Sequence, residues 1–327
     1  MSDARQSPAD SVPDGQEELS ATDPIIRQRE RTVDNVKRLY AIIFSLSFTN
    51  FVREIFDTAK DRLSHDIPIA GALATQIAML LIFYLTAAVF FFHIDRYLDI
   101  RYAMLVPGSM TRDGQRLRVI AWRPQTFAFD YLALVLTMIP FMFMSFTMDP
   151  EITKRFGILP FFVTYILLFL LSGLLLLPYS IIRGVAPAAL KFPGSETARY
   201  AALSTHWLIL NSTVVLILLC VFRLCDNGDP LASQASFAID FTTANAKFVI
   251  FFVLAAVIRD VIDFRTVWPF LYLSRMGVGP GDRHWGLRLL LDDRLALRWN
   301  WFEKLALYAF GASALAAFLQ LYSVLGR

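Results

Sequence analysis

The stretch IPIAGALATQIAMLLIFYLTAAVFFF, residues 67–92, decides the fold of this chain because it contains no charged side chain. The hydrocarbon core of a bilayer is about 30 Å thick, which a helix of roughly 20 apolar residues crosses. Every backbone polar group of such a segment must be satisfied without water, and a helix does this within the segment itself. Residues 67–92 therefore predict a helix that spans a lipid bilayer.

Six further segments share this apolar character. The segments at 39–56 and 241–258 are the most polar, and the one at 126–148 carries a single acid, Asp130, near its start. The predicted spans lie near 39–56, 67–92, 126–148, 158–182, 201–222, 241–258 and 305–325. The sequence thus predicts an all-α fold, a polytopic transmembrane bundle of about seven spans.

The overall composition agrees with this class of protein. Hydrophobic residues make up 56% of the 327 residues and charged residues only 18%, whereas soluble domains carry about 25% charge. The net charge of +3 is small, so no general basic surface suggests a nucleic acid as a partner. The two cysteines, Cys220 and Cys225, form neither a disulfide framework nor a metal-binding pattern.

The distribution of lysine and arginine predicts the orientation. The segments 27–38, 93–125, 183–200 and 259–304 are rich in these residues, and the segments between them are poorer. Basic loops stay on the cytoplasmic side of a membrane. With all seven spans the rich and poor segments alternate, which predicts a cytoplasmic N-terminus and an outside C-terminus. The short outside loops and the lack of a cleavable signal favour a bacterial inner membrane.

Two segments outside the spans have their own character. Residues 1–35 are polar and predict a disordered cytoplasmic tail, ahead of a transmembrane domain over 36–327. Residues 285–299, WGLRLLLDDRLALRW, place apolar side chains among arginines. This pattern predicts an amphipathic helix that lies in the cytoplasmic interface.

The first span carries an unusual set of polar side chains. Ser45, Thr49 and Arg53 are spaced by four residues, and Asn50 and Glu54 follow on an adjacent row. Helical spacing puts both rows on one side of the helix. Such side chains line a path for an ion or a small solute, or they form hydrogen bonds between packed helices. Both interpretations remain open at this stage.

A second set of charges lies at the predicted inner ends of spans 2 and 6. It consists of His93, Asp95, Arg96, Arg259, Asp260 and Asp263. These side chains are candidates for a gate or a coupling site, and the alternative is that they anchor the helices at the interface. Lys247, inside span 6, is a further coupling candidate, whereas His206 in span 5 is interpreted as a structural histidine.

Three functions are compatible with these observations. The first is a channel or small transporter with span 1 lining the polar path, acting alone or as a homo-oligomer. The second is a non-catalytic membrane anchor or scaffold subunit that docks a partner through its basic loops. The third is a lipid-modifying enzyme that uses Asp260 and Asp263. The chain contains no HExxH, P-loop or GxSxG motif, so the sequence predicts no catalytic residue, no metal and no cofactor.

Overall fold

The computed structural model of the chain describes residues 24–65, 70–98, 105–107, 117–119, 124–185, 196–225, 243–268 and 301–325. Eight helices and one pair of short strands lie in these ranges. The helices are α1 (Pro24–Ser64), α2 (Ala70–Leu98), α3 (Pro124–Phe146), α4 (Pro150–Phe156), α5 (Leu159–Val185), α6 (Glu196–Cys225), α7 (Thr243–Trp268) and α8 (Trp301–Leu325). The strands, β1 (Leu105–Pro107) and β2 (Leu117–Val119), pair antiparallel.

Five of these helices contain a stretch long and apolar enough to cross a membrane. The stretches are Glu30–Ser64, Ala70–Asp95, Phe127–Phe146, Leu159–Leu177 and Ser204–Leu224. They belong to α1, α2, α3, α5 and α6 and coincide with the first five predicted spans. Large apolar side chains are exposed on their outer surfaces, such as Phe143 and Leu174, where lipid would cover them. This arrangement fits a multi-pass membrane protein.

The last two predicted spans also correspond to helices, α7 and α8, which are not among those five. α7 carries several charged residues, including Arg259 and Asp263, and the apolar part of α8 is the shorter stretch Lys304–Gln320. The segment between these helices is outside the described residues, and the amphipathic helix predicted at 285–299 lies in it.

The helix boundaries differ from the predicted ones at the N-terminal end of α1. Residues 24–35, assigned from the sequence to a disordered tail, belong to α1. Val33, Val36 and Tyr40 of this helix pack against Leu98 of α2 and Leu134 of α3. Lys37 of α1 also forms an ion pair with Asp95 of α2 at 3.0 Å. The polar end of α1 therefore packs against α2 and α3, which its composition does not predict.

Aromatic side chains dominate the contact between the helices. Phe162 of α5 stacks on Phe222 of α6 with ring centroids 5.2 Å apart. It meets Phe248 and Phe252 of α7 edge-on, at 5.2 and 5.5 Å. Lipid tails are as apolar as these side chains, so helices associate through close van der Waals packing rather than through exclusion of water.

Two glycines occupy positions where a side chain would be strained or would clash. Gly157 ends α4 with φ of 59°, a backbone conformation that glycine adopts without steric cost. Gly173 of α5 faces α8 so closely that an added Cβ would lie 2.4 Å from a ring carbon of Phe310. The absent side chain therefore lets the ring of Phe310 approach the backbone of α5.

Candidate functional site

Four of the predicted gate or coupling residues come together inside the bundle. His93 of α2 meets Arg259, Asp260 and Asp263 of α7, and His206 of α6 joins them. We call these five residues the buried ionic cluster. Relative exposure is 4% for His93, 2% for Arg259 and 1% for Asp263. Charged side chains are almost never buried to this degree unless they are paired.

The course of the helices explains this convergence. The sequence placed the charges after the inner ends of spans 2 and 6, but α2 continues to Leu98 and α7 to Trp268. Arg259 and Asp263 are separated by four residues and therefore lie on one face of α7. That face packs against α2 and α6. The charges consequently point into the protein instead of ending at the interface.

Arg259 is fixed by contacts on all sides. Its Nη1 donates a hydrogen bond to Oδ1 of Asp260 at 2.6 Å, and its Nη2 donates to Oδ1 of Asn211 at 3.0 Å. The guanidinium also lies 5.4 Å from the ring centroid of Phe90 and 4.9 Å from that of Phe169. Stacking between aromatic rings is a favourable environment for a guanidinium.

Asp263 is the centre of the cluster. Its Oδ1 accepts a hydrogen bond from Nε1 of Trp207 at 2.9 Å. Its Oδ2 lies 3.0 Å from Nη2 of Arg259, without hydrogen-bond geometry, and 3.5 Å from Nδ1 of His93. Nε2 of His206 lies 3.7 Å from Oδ1. One carboxylate is thus shared by a guanidinium, an indole and two imidazoles.

Asp260 occupies the other side of Arg259. Besides Nη1 of Arg259, its partner is the hydroxyl of Thr86 on α2, which donates to Oδ2 at 3.2 Å. Both carboxylates of α7 therefore face the same guanidinium. With both carboxylates ionised and both imidazoles neutral, the cluster would hold one positive and two negative charges. A buried excess charge is costly, so this arrangement favours an additional proton or a bound cation.

Several polar atoms of the cluster have no hydrogen bond within the described part of the chain. They are Nε2 of His93, Nε2 of His206, Nε of Arg259 and Oδ2 of Asp263. Leaving a buried polar atom unsatisfied costs about 1–3 kcal/mol. Such groups are usually completed by water, by an ion or by a ligand.

A cavity of about 140 Å³ lies directly beside the cluster. His93, Trp207, Arg259 and Asp263 form part of its wall, and apolar side chains such as Leu134 form another part. Water takes about 30 Å³ per molecule in the liquid. The cavity therefore has room for a few waters or one small solute in contact with the ionic cluster.

The other predicted coupling residues lie apart from the cluster. Asp95 pairs with Lys37 in the N-terminal half of α1. Lys247 is exposed near the opposite end of α7. Arg96 belongs to α2, but its side chain is outside the described part of the structure.

The polar side chains of span 1 do not line this cavity. Ser45, Thr49 and Arg53 are exposed on the outer surface of α1, and the Arg53 side chain, 73% exposed, lies 3.4 Å from Asp57 on the same helix. Asn50 is partly buried, and its Nδ2 lies 3.5 Å from Oγ of Ser145 on α3. Glu54 is also partly buried.

The sequence interpretation missed three neighbours of the cluster and assigned His206 a structural role. Thr86, Trp207 and Asn211 are ordinary residues for an apolar span, and a single sequence gives no reason to separate them from packing residues. One signal was available: Trp207 and Asn211 are four residues apart, next to His206, so they share a helical face.

The described residues contain no group of three or more histidine, cysteine or acidic side chains arranged to hold a metal ion. Comparison with models of protein families, with curated proteins and with solved structures gives no match to this chain. The buried ionic cluster and its cavity are therefore the features of this chain that point to a function.

Proposed function

We propose that the protein is a permeation protein, a channel or small transporter, in which an ion or small solute passes the buried ionic cluster. The observation that supports this is the convergence of Arg259, Asp263 and His93 beside a cavity. His93 and His206 lie within two of the helical stretches apolar enough to cross a membrane. Ionisable residues at such positions are costly and typically mark a substrate path or a proton relay.

The cluster combines the properties that a coupling site needs. Its excess negative charge attracts a cation or a proton, and Nε2 of each of its two imidazoles has no hydrogen bond in the described part of the chain. Asp263 lines the cavity and lies near both imidazoles. A solute in the cavity would therefore act directly on the charge of the cluster and on the imidazoles. Solute binding and protonation are then linked because each offsets the same charge.

The exposed polar face of α1 has a place in this proposal only in an assembly. Ser45, Thr49 and Arg53 face away from the bundle of their own chain. They line a path only where another copy covers this face, which corresponds to a homo-oligomer. Within a single chain, the path that we propose runs through the cavity beside Asp263.

The two alternative functions have less support in this geometry. A lipid-modifying enzyme would need Asp260 and Asp263 to bind a reactant or a metal, but Arg259 engages both carboxylates. A docking subunit would use the segments 93–125 and 285–299, which lie mostly outside the described residues. Permeation remains the function that the cluster and the cavity support best.

Solute movement through reconstituted protein tests this function. We expect liposomes containing the protein to admit at least one solute of a panel comprising potassium, tetramethylammonium, acetate and glycerol faster than empty liposomes. Asp263→Asn keeps the side-chain volume but removes the charge, and we expect it to slow this movement by about tenfold or more, since buried charges at such sites contribute several kcal/mol. Stopped-flow light scattering measures the rates.

The matched control is Asp57→Asn, which removes a carboxylate from the exposed face of α1. We expect it to leave the rates unchanged, because Asp57 does not line the cavity. Equal rates for empty liposomes, the unchanged protein and both variants with every solute would refute permeation.

We also propose that the bundle has seven spans, with the N-terminus in the cytoplasm and the C-terminus outside. The alternation of basic segments supports this orientation. In this proposal α7 and α8 form the sixth and seventh spans. Single cysteines at Arg112, Asp229 and Arg283 in a Cys220→Ser, Cys225→Ser background test it. In intact cells we expect an impermeant maleimide to label only position 229. Labelling at 112 and 283 on opposite sides of the membrane contradicts the proposal.

A further inference from the structure

We infer that the cavity beside the buried ionic cluster binds a small organic cation with an ammonium head group. This inference deepens the proposed function, because it names the class of solute, and it rests on that function only for the biological role of the site. The binding itself follows from three properties of the cavity: its charge, its aromatic wall and its size.

The charge of the wall favours a cation over an anion. Arg259 is the one positively charged residue described at the cavity wall, and both of its terminal nitrogens already contact side chains of this chain, those of Asp260, Asn211 and Asp263. The buried atoms left without a hydrogen bond in the described region include Oδ2 of Asp263 and Nε2 of His93. A carboxylate oxygen accepts hydrogen bonds and attracts positive charge, so an entering cation would offset the excess negative charge.

The aromatic wall points in the same direction. Phe90 and Trp207 line the cavity, and the Trp207 ring lies 5.8 Å from that of His93. Aromatic faces attract ammonium groups, and tryptophan is the most effective of them. Apolar side chains such as Leu134 and Leu175 complete the wall and suit the methyl or methylene groups of an organic cation.

The volume of the cavity suits a small ligand. Its volume is about 140 Å³, and a cavity of about 150 Å³ in another protein holds benzene. A ligand of about five or six non-hydrogen atoms therefore fits. Tetramethylammonium is within this limit, and it carries a permanent charge that does not depend on pH.

Bare metal cations fit the site less well. Hard cations need several oxygen ligands in a close shell. The described oxygen-bearing side chains of the wall are those of Asp130, Thr137, Ser172, Ser204, Asn211 and Asp263. The described residues nevertheless include no group of three or more histidine, cysteine or acidic side chains placed to hold a metal ion. An organic cation needs no such shell, because it interacts with aromatic faces and with the carboxylates of the wall, those of Asp130 and Asp263.

Isothermal titration of the purified full-length protein in detergent with tetramethylammonium chloride tests the inference. Two ligands of similar shape serve as controls, neutral tert-butanol and anionic trimethylacetate, and potassium chloride controls for salt. We expect saturable heat only with tetramethylammonium. Asp263→Asn should weaken this binding by about tenfold or more, since it removes the charge that pairs with the ligand, whereas Asp57→Asn should not.

A second variant separates binding from any effect on the cluster. Ala133 lines the cavity, so Ala133→Phe fills the space without altering a charge. We expect it to abolish the heat of binding, while the thermal unfolding temperature stays near that of the unchanged protein.

Equal binding of tert-butanol, preferential binding of trimethylacetate, or no saturable heat with tetramethylammonium would each overturn the inference. Binding without movement across liposomes would refute the proposed function alone, and Asp263-dependent movement of another solute without this binding would refute the inference alone.

Discussion

Replacing Arg259 with leucine is expected to destabilise the protein by about 3–5 kcal/mol, the cost of removing one partner from a buried ion pair. Asp260 and Asp263 would then remain buried without the guanidinium that contacts both. The substitution also removes the hydrogen bond from Arg259 to Asn211 and the contacts of the guanidinium with the rings of Phe90 and Phe169. Unfolding in mixed micelles with increasing SDS, followed by circular dichroism, measures this change.

The matched control is the same substitution at Arg265, which is exposed on the last turn of α7. Exposed charges contribute little, about 0–1 kcal/mol, so Arg265→Leu should be nearly neutral. Combining Arg259→Leu with Asp260→Asn and Asp263→Asn should recover much of the lost stability, because the uncompensated carboxylates are gone. If Arg259→Leu and Arg265→Leu unfold at the same SDS fraction, the buried ionic cluster does not exist as described.

The second large effect is expected for Phe162→Ala, with a loss of about 3 kcal/mol, at the low end of the range for removing a buried phenylalanine. The unfolded state of a membrane protein remains in an apolar medium, so the transfer contribution is small and the lost packing dominates. Phe162 contacts the rings of Phe222, Phe248 and Phe252. The substitution therefore leaves a gap where α5, α6 and α7 meet.

Phe143→Ala is the control for this experiment. Phe143 is 59% exposed on α3, where lipid or detergent replaces the lost side chain. We expect its unfolding midpoint to stay close to that of the unchanged protein under the same SDS titration. A larger loss for Phe143→Ala than for Phe162→Ala would mean that the aromatic cluster does not hold these helices together.

The positions of the helices follow from the sequence because apolar length is a local property. Residues 67–92 have enough apolar side chains to span a bilayer, and α2 covers residues 70–92 of this stretch and continues to Leu98. The predicted helix ends agree less well with the structure. α7 continues past Ile258 to Trp268, and Arg259 and Asp263 contact side chains of other helices there. No local pattern in the sequence predicts those partners.

The candidate site was found only in part for a related reason. The clusters of charge at the predicted inner ends of spans 2 and 6 made His93, Arg259, Asp260 and Asp263 gate or coupling candidates. His206 was interpreted as structural, and Trp207, Asn211 and Thr86 were not separated from packing residues. They belong to the candidate site because they contact Asp263, Asp260 or Arg259. The spacing of residues along one helix does not predict such contacts between helices.

By itself, the sequence determined that the chain forms long apolar helices, because the number of apolar residues in a segment fixes whether that helix can cross a bilayer. It also determined that the polar side chains of α1 share a face, because helical periodicity fixes their relative directions. Only the tertiary structure decided that Ser45, Thr49 and Arg53 of this face point outward, whereas the charged face of α7 points inward. Packing between helices sets that choice, since it depends on which surfaces meet and not on the order of residues within one helix.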